Sequence, residues 1–440
     1  MSKNPFSLLS KKRFAPLFIT QFLGAFNDSL FRNALIVSLA FSTTTSFLNP
    51  NTLVNLGAAL FIIPYFLFSA LAGQLADKFE KTRLIRFIKI SEIGLAILAA
   101  IGFYFHHLTL LMIALFLLGT HSTFFGPIKY SILPQQLKES ELMAGNGLVE
   151  MGTFIAILIG TIMGAFLVGI PIIGLHWVSI TMLMVAIIGL ITSLFIPNAK
   201  PPVPNLLIDW HPLRQTVQMM KKTYQHKIPY MSIIGISWFW LYGSIFLTQI
   251  ANYTKLILSG SEQVATILLT TFSVSIGLGS MLCTKLSKNK IEMGLVPLGA
   301  IGLSIFAIDI AFAHGTKSDV LLSGIAFLSD WLSWRILLDI SFIGIFGGFF
   351  IVPLYALLQN RTDSEERSRV IAANNVINAI FMTVASLIAI VFLNIGFSIP
   401  QLFLLTGILN ALVAIYIFRV VPEFVDRFVT WMSIHMPSSH

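Results

Sequence analysis

The sequence is poor in charge, in cysteine and in the motifs of catalysis. Only 11% of its 440 residues are Asp, Glu, Lys or Arg, against about 25% in a soluble domain. That shortage excludes an ordinary water-exposed globule. Cys283 is the single cysteine, so no intrachain disulfide can form and no Cys/His cluster is available for a metal. No Gly-x-x-x-x-Gly-Lys loop is present to cradle phosphates, and no His-Glu-x-x-His pair offers a catalytic zinc. His106 and His107 fall at a short loop and are expected to be solvated. Short alternating strands, the signature of a membrane barrel, are also missing. Neither an enzyme nor a bound cofactor is expected.

Long apolar runs are what the chain has in abundance. It is 56% hydrophobic, with a mean hydropathy of +0.85. Runs of about 20 residues recur, enough to cross about 30 Å of hydrocarbon as helix. The expected class is an all-α integral membrane protein with twelve transmembrane helices in two six-helix halves. The spans are expected near 14–42, 53–76, 83–104, 109–128, 144–169, 175–196, 228–252, 263–284, 292–313, 335–357, 368–393 and 400–419. Lys11, Lys12 and Arg13 precede the first run. That run is too long for a signal-peptide core and no small-residue cleavage site follows it, so it is expected to stay as a helix.

Charge gives the orientation. About 24 of the 28 Lys and Arg fall in the N-terminus, alternate loops, central linker and C-terminal tail. The opposite loops hold about three, and Arg32 lies within a span. Cytoplasmic loops carry the Lys/Arg excess, so both termini are expected in the cytoplasm. The +9 net charge is then a topology signal spread over short loops, and a nucleic-acid partner is not expected.

The expected divisions are a first half at 1–196, a cytoplasmic linker at 197–227, a second half at 228–420 and an amphipathic tail at 421–440. "NAKPPVPN" opens the linker, and its prolines resist helix formation. The halves carry a weak internal repeat. "FGPIKYSILPQQLKESELMAGNGLVE" joins the fourth and fifth spans, and "IVPLYALLQNRTDSEERSRVIAANNVIN" joins the tenth and eleventh. Each runs through Pro, an aromatic, Leu and Gln, an acidic stretch, then Ala and Asn. Repeated six-helix halves are a transporter architecture with the substrate site between them near the midplane.

"GQLADKFEKTRLIR" resembles the loop 2–3 signature of the major facilitator superfamily, through Gly73, Leu75, Ala76, Asp77, Lys78, Lys81 and Arg83. Phe79 and Glu80 stand where the family often has Gly-Arg. "FNDSLFRNAL", "FGPIKYSILP" and "GNGLVEMGT" are more specific and resemble the lysophospholipid transporter branch. That resemblance covers nearly the whole chain. It implies movement of lysophospholipids from the outer to the inner face of a bacterial inner membrane, where acyltransferases repair them. It further implies a monomer, membrane lipids as surroundings and a separate cytoplasmic acyltransferase as a candidate partner. "VPEFVDRFVTWMSIHM" resembles the junction of fused members in which an acyltransferase domain follows, but no His-x4-Asp motif is present. Read from its residues, that tail is an interfacial helix with Phe424, Phe428 and Trp431 towards lipid.

The polar residues inside the spans are the candidate site. Asp28 and Arg32 are four apart and share a helix face, where they can pair. Asp28 lies roughly 20 Å into its span at 1.5 Å per residue. Charges at such depth usually face cavities and mark pathways. The pair is either a structural lock or a headgroup site, with Arg32 on a phosphate and Asp28 on an ammonium. Asn27 is placed to orient the head or a charge partner. Asn146 and Glu150 share a face of the fifth span and offer a ligand or a helix–helix contact. Lys129 either snorkels to the interface or pairs with Glu150 at an inner gate. Lys89 and Glu92 read as local structure. "SWFWLYGSIFLTQ" supplies Trp238, Trp240 and Gln249 as packing or as a wall for an acyl chain. Asn374 and Asn378 share a face of the eleventh span and line a cavity or bind a neighbour. Asp77 and Arg83 of the signature, with Arg369 in the first turn of the eleventh span, read as gating residues.

Other functions fit the same pattern: a proton-coupled exporter of drugs or other amphipaths with Asp28 as the carrier, or a membrane scaffold for an acyltransferase.

Overall fold

The computed structural model describes residues 4–40, 50–288, 290–313 and 321–435. The expected end of the first span at 41–42 and the last residues of the tail, 436–440, lie outside the described residues. Apart from one isolated bridge between Gly260 and Leu322, every regular element among the described residues is helical. In a hydrocarbon surrounding this follows from the backbone, because a helix satisfies its N–H and C=O groups within its own segment.

Twelve long helices form the body. The first half holds α1 (Ala15–Ala40), α2 (Pro50–Lys78), α3 (Lys81–Tyr104), α4 (Leu108–Ser131), α5 (Leu142–Val168) and α6 (Gly174–Leu194). The second holds α7 (Lys227–Leu256), α8 (Glu262–Leu286), α9 (Leu295–Asp309), α10 (Trp331–Asn360), α11 (Arg367–Asn394) and α12 (Ile399–Val420). Ten of these, counted with their end turns, are long and apolar enough to cross a membrane by length and composition. α1 and α3 complete the twelve and carry Asp28, Arg32, Lys89 and Glu92. A helix, Pro212–Tyr224, lies between α6 and α7.

The helices alternate in direction. The loops after α2, α4, α6, α8 and α10 therefore share one end of the molecule with most of the Lys and Arg. We call this end the basic face. The two halves approach closely there. A β-carbon at Gly73 of α2 would collide with the backbone of Ser368 and Arg369 on α11. One at Gly147 of α5 would collide with Ser280 of α8. Glycine removes the side chain that would hold these helices apart.

The start of α10 and the orientation of the tail differ from expectation for local reasons. α10 starts at Trp331 because the Asp330 carboxylate caps it, accepting from the Leu332 N–H at 3.3 Å. Trp331 and Trp334 are thus in its first turn, both exposed. The tail forms a helix, Glu423–His435, but its aromatic face turns inward. Phe424 is fully buried and Trp431 nearly so. Backbone at Arg427 and Phe428 packs against Gly294. The exposed apolar face is instead Val425, Val429 and Met432.

Candidate substrate site and gate

A cavity of about 320 Å³ lies between the halves. Its walls come from α1, α2, α4 and α5 on one side and α7, α10 and α11 on the other. One wall is polar and charged: Gln21, Asp28 and Arg32 on α1, Tyr65 on α2, His121, Ser122 and Lys129 on α4. Asn375 and Asn378 add amides from α11. Phe61, Ile62, Phe125, Ile157, Trp240, Ala379 and Met382 supply apolar surface. The site therefore joins fixed charge to aromatic and aliphatic area, which suits an amphipath.

Asp28 and Arg32 face this cavity without forming the ion pair that their spacing allows. The Ser122 hydroxyl donates to one oxygen of Asp28, and the other is buried without a hydrogen-bond partner among the described residues. The Arg32 guanidinium instead lies over the Phe61 ring, 5.4 Å from its centroid, a cation–π arrangement. Neither charge is neutralised by an ion pair among the described residues, and both side chains line the cavity.

The floor is aromatic. Tyr130 of α4 and Tyr355 of α10 stack with centroids 4.1 Å apart and planes 5° from parallel. Trp240 Nε1 points to the Tyr355 hydroxyl at 3.4 Å, and Trp240 stacks on Phe154 of α5.

Below the floor the halves are bonded together. Asp77 at the end of α2 accepts from the backbone N–H groups of Ser368 and Arg369 at 3.2 and 3.3 Å, and from Arg369 Nε at 3.0 Å. An acidic side chain at a helix N-terminus meets unsatisfied N–H groups and the positive end of the helix dipole. Ser131 and Ser368 hydroxyls lie 3.0 Å apart. Asn146 and Gln359 exchange two amide hydrogen bonds of 2.7 and 2.8 Å, and Asn360 donates to Glu139 at 2.9 Å. Among the described residues, the hydrogen bonds between the halves all lie on the basic side of the cavity. The molecule is shut at its basic face.

A family model described as Major Facilitator Superfamily matches residues 17–333. The chain belongs to the Major Facilitator Superfamily. It is 26% identical over 349 residues to a protein of Photorhabdus laumondii named lysophospholipid transporter LplT, covering 78% of each chain. It is 29% identical over 365 residues to a protein of that name from Klebsiella pneumoniae, covering 81% of this chain and 82% of the relative. Solved structures agree on the fold. The transporter FucP in its outward conformation superposes with a TM-score of 0.70 at 14% identity, over 92% of this chain and 98% of FucP. An outward-facing bacterial homologue of ferroportin superposes at 0.67 and 13% identity, over 96% of this chain and all of that one.

Within this superfamily member the expected site residues separate into groups. Asp28, Arg32, Lys129, Trp240 and Asn378 line the cavity together. Asn378 also accepts from Ser237 at 2.7 Å. Lys129 neither snorkels nor pairs with Glu150: it aims inward, donating to Thr153 at 3.1 Å. Glu150 lies behind the floor, where it accepts from the Tyr130 hydroxyl at 2.5 Å.

Other residues face away from the cavity. Asn27 points into the first half, donating to Glu92 at 2.9 Å and to the Met182 carbonyl at 3.3 Å. Asn146 is used by the seam with Gln359. Trp238 donates to Asn410 at 2.8 Å inside the second half, and Gln249 bonds its neighbour Asn252 at 3.3 Å. Asn374 is fully buried beside Tyr355. Arg369 is at the Asp77 contact. Arg83 instead extends into solvent, 3.9 Å from Glu80.

Glu80 caps α3, accepting from the Thr82 and Arg83 N–H groups at 3.0 and 2.9 Å. It also accepts from the linker at Ala199, 2.8 Å away. Burial pushes the Glu80 carboxyl up, but these hydrogen bonds together outweigh it and hold the group below its ordinary range.

Sequence reasoning missed His121, Ser122, Tyr65 and Tyr355. The run "THST" in the middle of an apolar span was the available signal for the first two. His121 connects two charged groups. Its Nε2 lies 3.4 Å from Glu92, which Lys89 holds at 2.6 Å, while the His121 side chain also reaches the cavity wall that carries Asp28.

Proposed function

We propose that the chain moves lysophospholipids, such as lysophosphatidylethanolamine, from the outer to the inner leaflet of a bacterial inner membrane by alternating access, delivering them for re-acylation. The observation that carries this reading is the cavity between the halves, with uncommitted charges at Asp28 and Arg32 beside an aromatic and aliphatic wall. Arg32 and Lys129 suit a phosphate, Asp28 suits an ammonium, and the apolar surface suits a single acyl chain. The relatives named lysophospholipid transporter support the substrate class. On this reading the basic face is cytoplasmic, the structure is the state closed to the cytoplasm, and Asp77 with Arg369 forms its gate.

Uptake of labelled lysophosphatidylethanolamine into vesicles containing only this protein tests the proposal. Protein-dependent uptake that a two-chain phospholipid competes with poorly is the expected result. No uptake would leave the scaffold reading. Equal competition by the two-chain lipid would remove the single-chain cavity from the account.

A further inference from the structure

A second groove, of about 590 Å³, opens on the basic face, away from the central cavity. Four cations line it, against two carboxylates. Lys138 precedes α5 in the first half, Lys290 lies between α8 and α9, Arg361 follows α10, and Arg427 comes from the tail helix. The carboxylates are already engaged. Glu139 accepts from Asn360 across the seam at 2.9 Å, and Glu423 lies 3.9 Å from Arg361. Among the described residues, no carboxylate comes within 4 Å of the charged groups of Lys138, Lys290 or Arg427. Three unpaired cations from three segments thus converge on one groove, where their mutual repulsion favours an anion.

We propose that this groove binds the phosphate-bearing headgroup of an anionic phospholipid. Arginine presents a fork that matches phosphate oxygens, and lysine adds point charge. The volume falls within the usual range of small-ligand sites. The tail helix argues for a lipid over a free ion. Its exposed Val425, Val429 and Met432 lie on one side and form the apolar face of an interfacial helix. That face sets the helix at headgroup level, and the same helix carries Arg427 into the groove. Because both halves supply walls, the complete site exists only while the basic face is shut. A ligand shifts an equilibrium by its differential affinity for the two states, so the bound lipid holds the molecule closed on that side. This site is independent of the transported substrate.

Native mass spectrometry of the full chain titrated with phosphatidylglycerol tests the assignment. Lys290→Gln/Arg427→Gln should weaken binding about tenfold or more, because two cations near the headgroup are lost. Lys11→Gln/Lys12→Gln, which removes two exposed cations elsewhere, should leave it nearly unchanged. Lys138→Gln/Lys290→Gln repeats the first loss without touching the tail helix, in case that helix detaches. Displacement by inorganic phosphate supports recognition of the phosphate alone. Failure of phosphate to displace the lipid supports recognition of the whole headgroup. Equal losses in the groove and control pairs, or none in either groove pair, would overturn the site. So would polyglutamate binding to these cations while phosphatidylglycerol does not.

Discussion

Tyr130 and Tyr355 stack face to face across the seam between the halves, 4.1 Å apart. They are the aromatics of the two repeated segments, "GPIKY" and "VPLY". The repeat therefore meets itself at the floor of the cavity. Such a pair contributes about 0.5–1.5 kcal/mol beyond its burial, and Tyr130 also donates to Glu150.

Separating these two contributions is straightforward. Tyr130→Phe keeps the ring and strips Glu150 of its hydrogen-bond donor. The other Glu150 oxygen has no partner among the described residues. Leaving a buried acceptor unsatisfied costs about 1–3 kcal/mol. Thermal unfolding in detergent should show a lower Tm for Tyr130→Phe than for Glu150→Met/Tyr130→Phe, which removes the acceptor together with its donor. Equal Tm values for wild type and Tyr130→Phe would show that this bond does not matter.

The separation of Asp28 from Arg32 has a consequence for function. If the residues served each other as an ion pair, exchanging them would preserve the interaction. They do not, so Asp28→Arg/Arg32→Asp should transport as poorly as the single variants Asp28→Asn and Arg32→Ala. A loss of about tenfold or more corresponds to one substrate contact of about 1.4 kcal/mol. Initial uptake rates, normalised to inserted protein, measure it. Recovery in the exchanged variant would restore the ion-pair reading.

Lys89 and Glu92 form a different kind of pair. Both are fully buried, 2.6 Å apart, with Asn27 on the other Glu92 oxygen. Removing one partner of a buried pair strands a charge and costs about 3–5 kcal/mol, whereas an apolar replacement of both is far milder. Lys89→Ala should therefore fail to accumulate as folded protein, while Lys89→Met/Glu92→Leu accumulates. Size-exclusion chromatography of the solubilised chain distinguishes these outcomes. Normal yield of Lys89→Ala would mean that the site relaxes or hydrates.

Much of this was legible because depth and period are written in the residues. Apolar run length gave the twelve spans, and the Lys/Arg pattern gave the basic face. The Asp77 contact with the start of α11 followed from the loop signature. What periodicity could not decide was the direction of a polar side chain on a helix packed on more than one side. Asn27 and Asp28 are adjacent, yet one bonds Glu92 and the other faces the cavity. Trp238 and Trp240 divide in the same way, because residues two apart on a helix point to different sides. The tail misled for a related reason. Phe424 and Trp431 share a face, but amphipathicity alone does not say whether protein or lipid covers it.

Glu80 adds a pH dependence. Its carboxyl is held below its ordinary range by the α3 cap and by Ala199. A group with a depressed folded value stabilises fully above its unfolded value near 4.3 and loses that contribution as pH falls through the folded value. Glu80→Ala should cost about 1 kcal/mol, as loss of a helix cap does. The Tm gap between Glu80→Ala and wild type should narrow below about pH 4. A gap that stayed constant from neutral pH to acid would show that the ionised cap contributes nothing.

On the proposed function, Asp77 is expected to set how firmly the basic face stays shut. It meets the first N–H groups of α11 and the Arg369 side chain, and is itself fully buried. A carboxylate at a helix N-terminus contributes about 0.3–1 kcal/mol, and up to about 2 when partly buried. Asp77→Ala removes that from the closed state alone, because the contact exists only while α2 and α11 touch. The population should shift several-fold towards opening on this side, and the cavity 320 Å³ in volume keeps its lining. Turnover should thus change more than substrate affinity. Ser131 and Ser368 give the reporter, since their hydroxyls lie 3.0 Å apart across the same seam. In a Cys283→Ser background, Ser131→Cys/Ser368→Cys should cross-link under mild oxidation. Adding Asp77→Ala should slow that cross-linking while Asp77→Glu restores part of it. Unchanged cross-linking in Asp77→Ala, with both thiols reactive, would mean that the amide pair of Asn146 and Gln359 holds the face closed without help from Asp77.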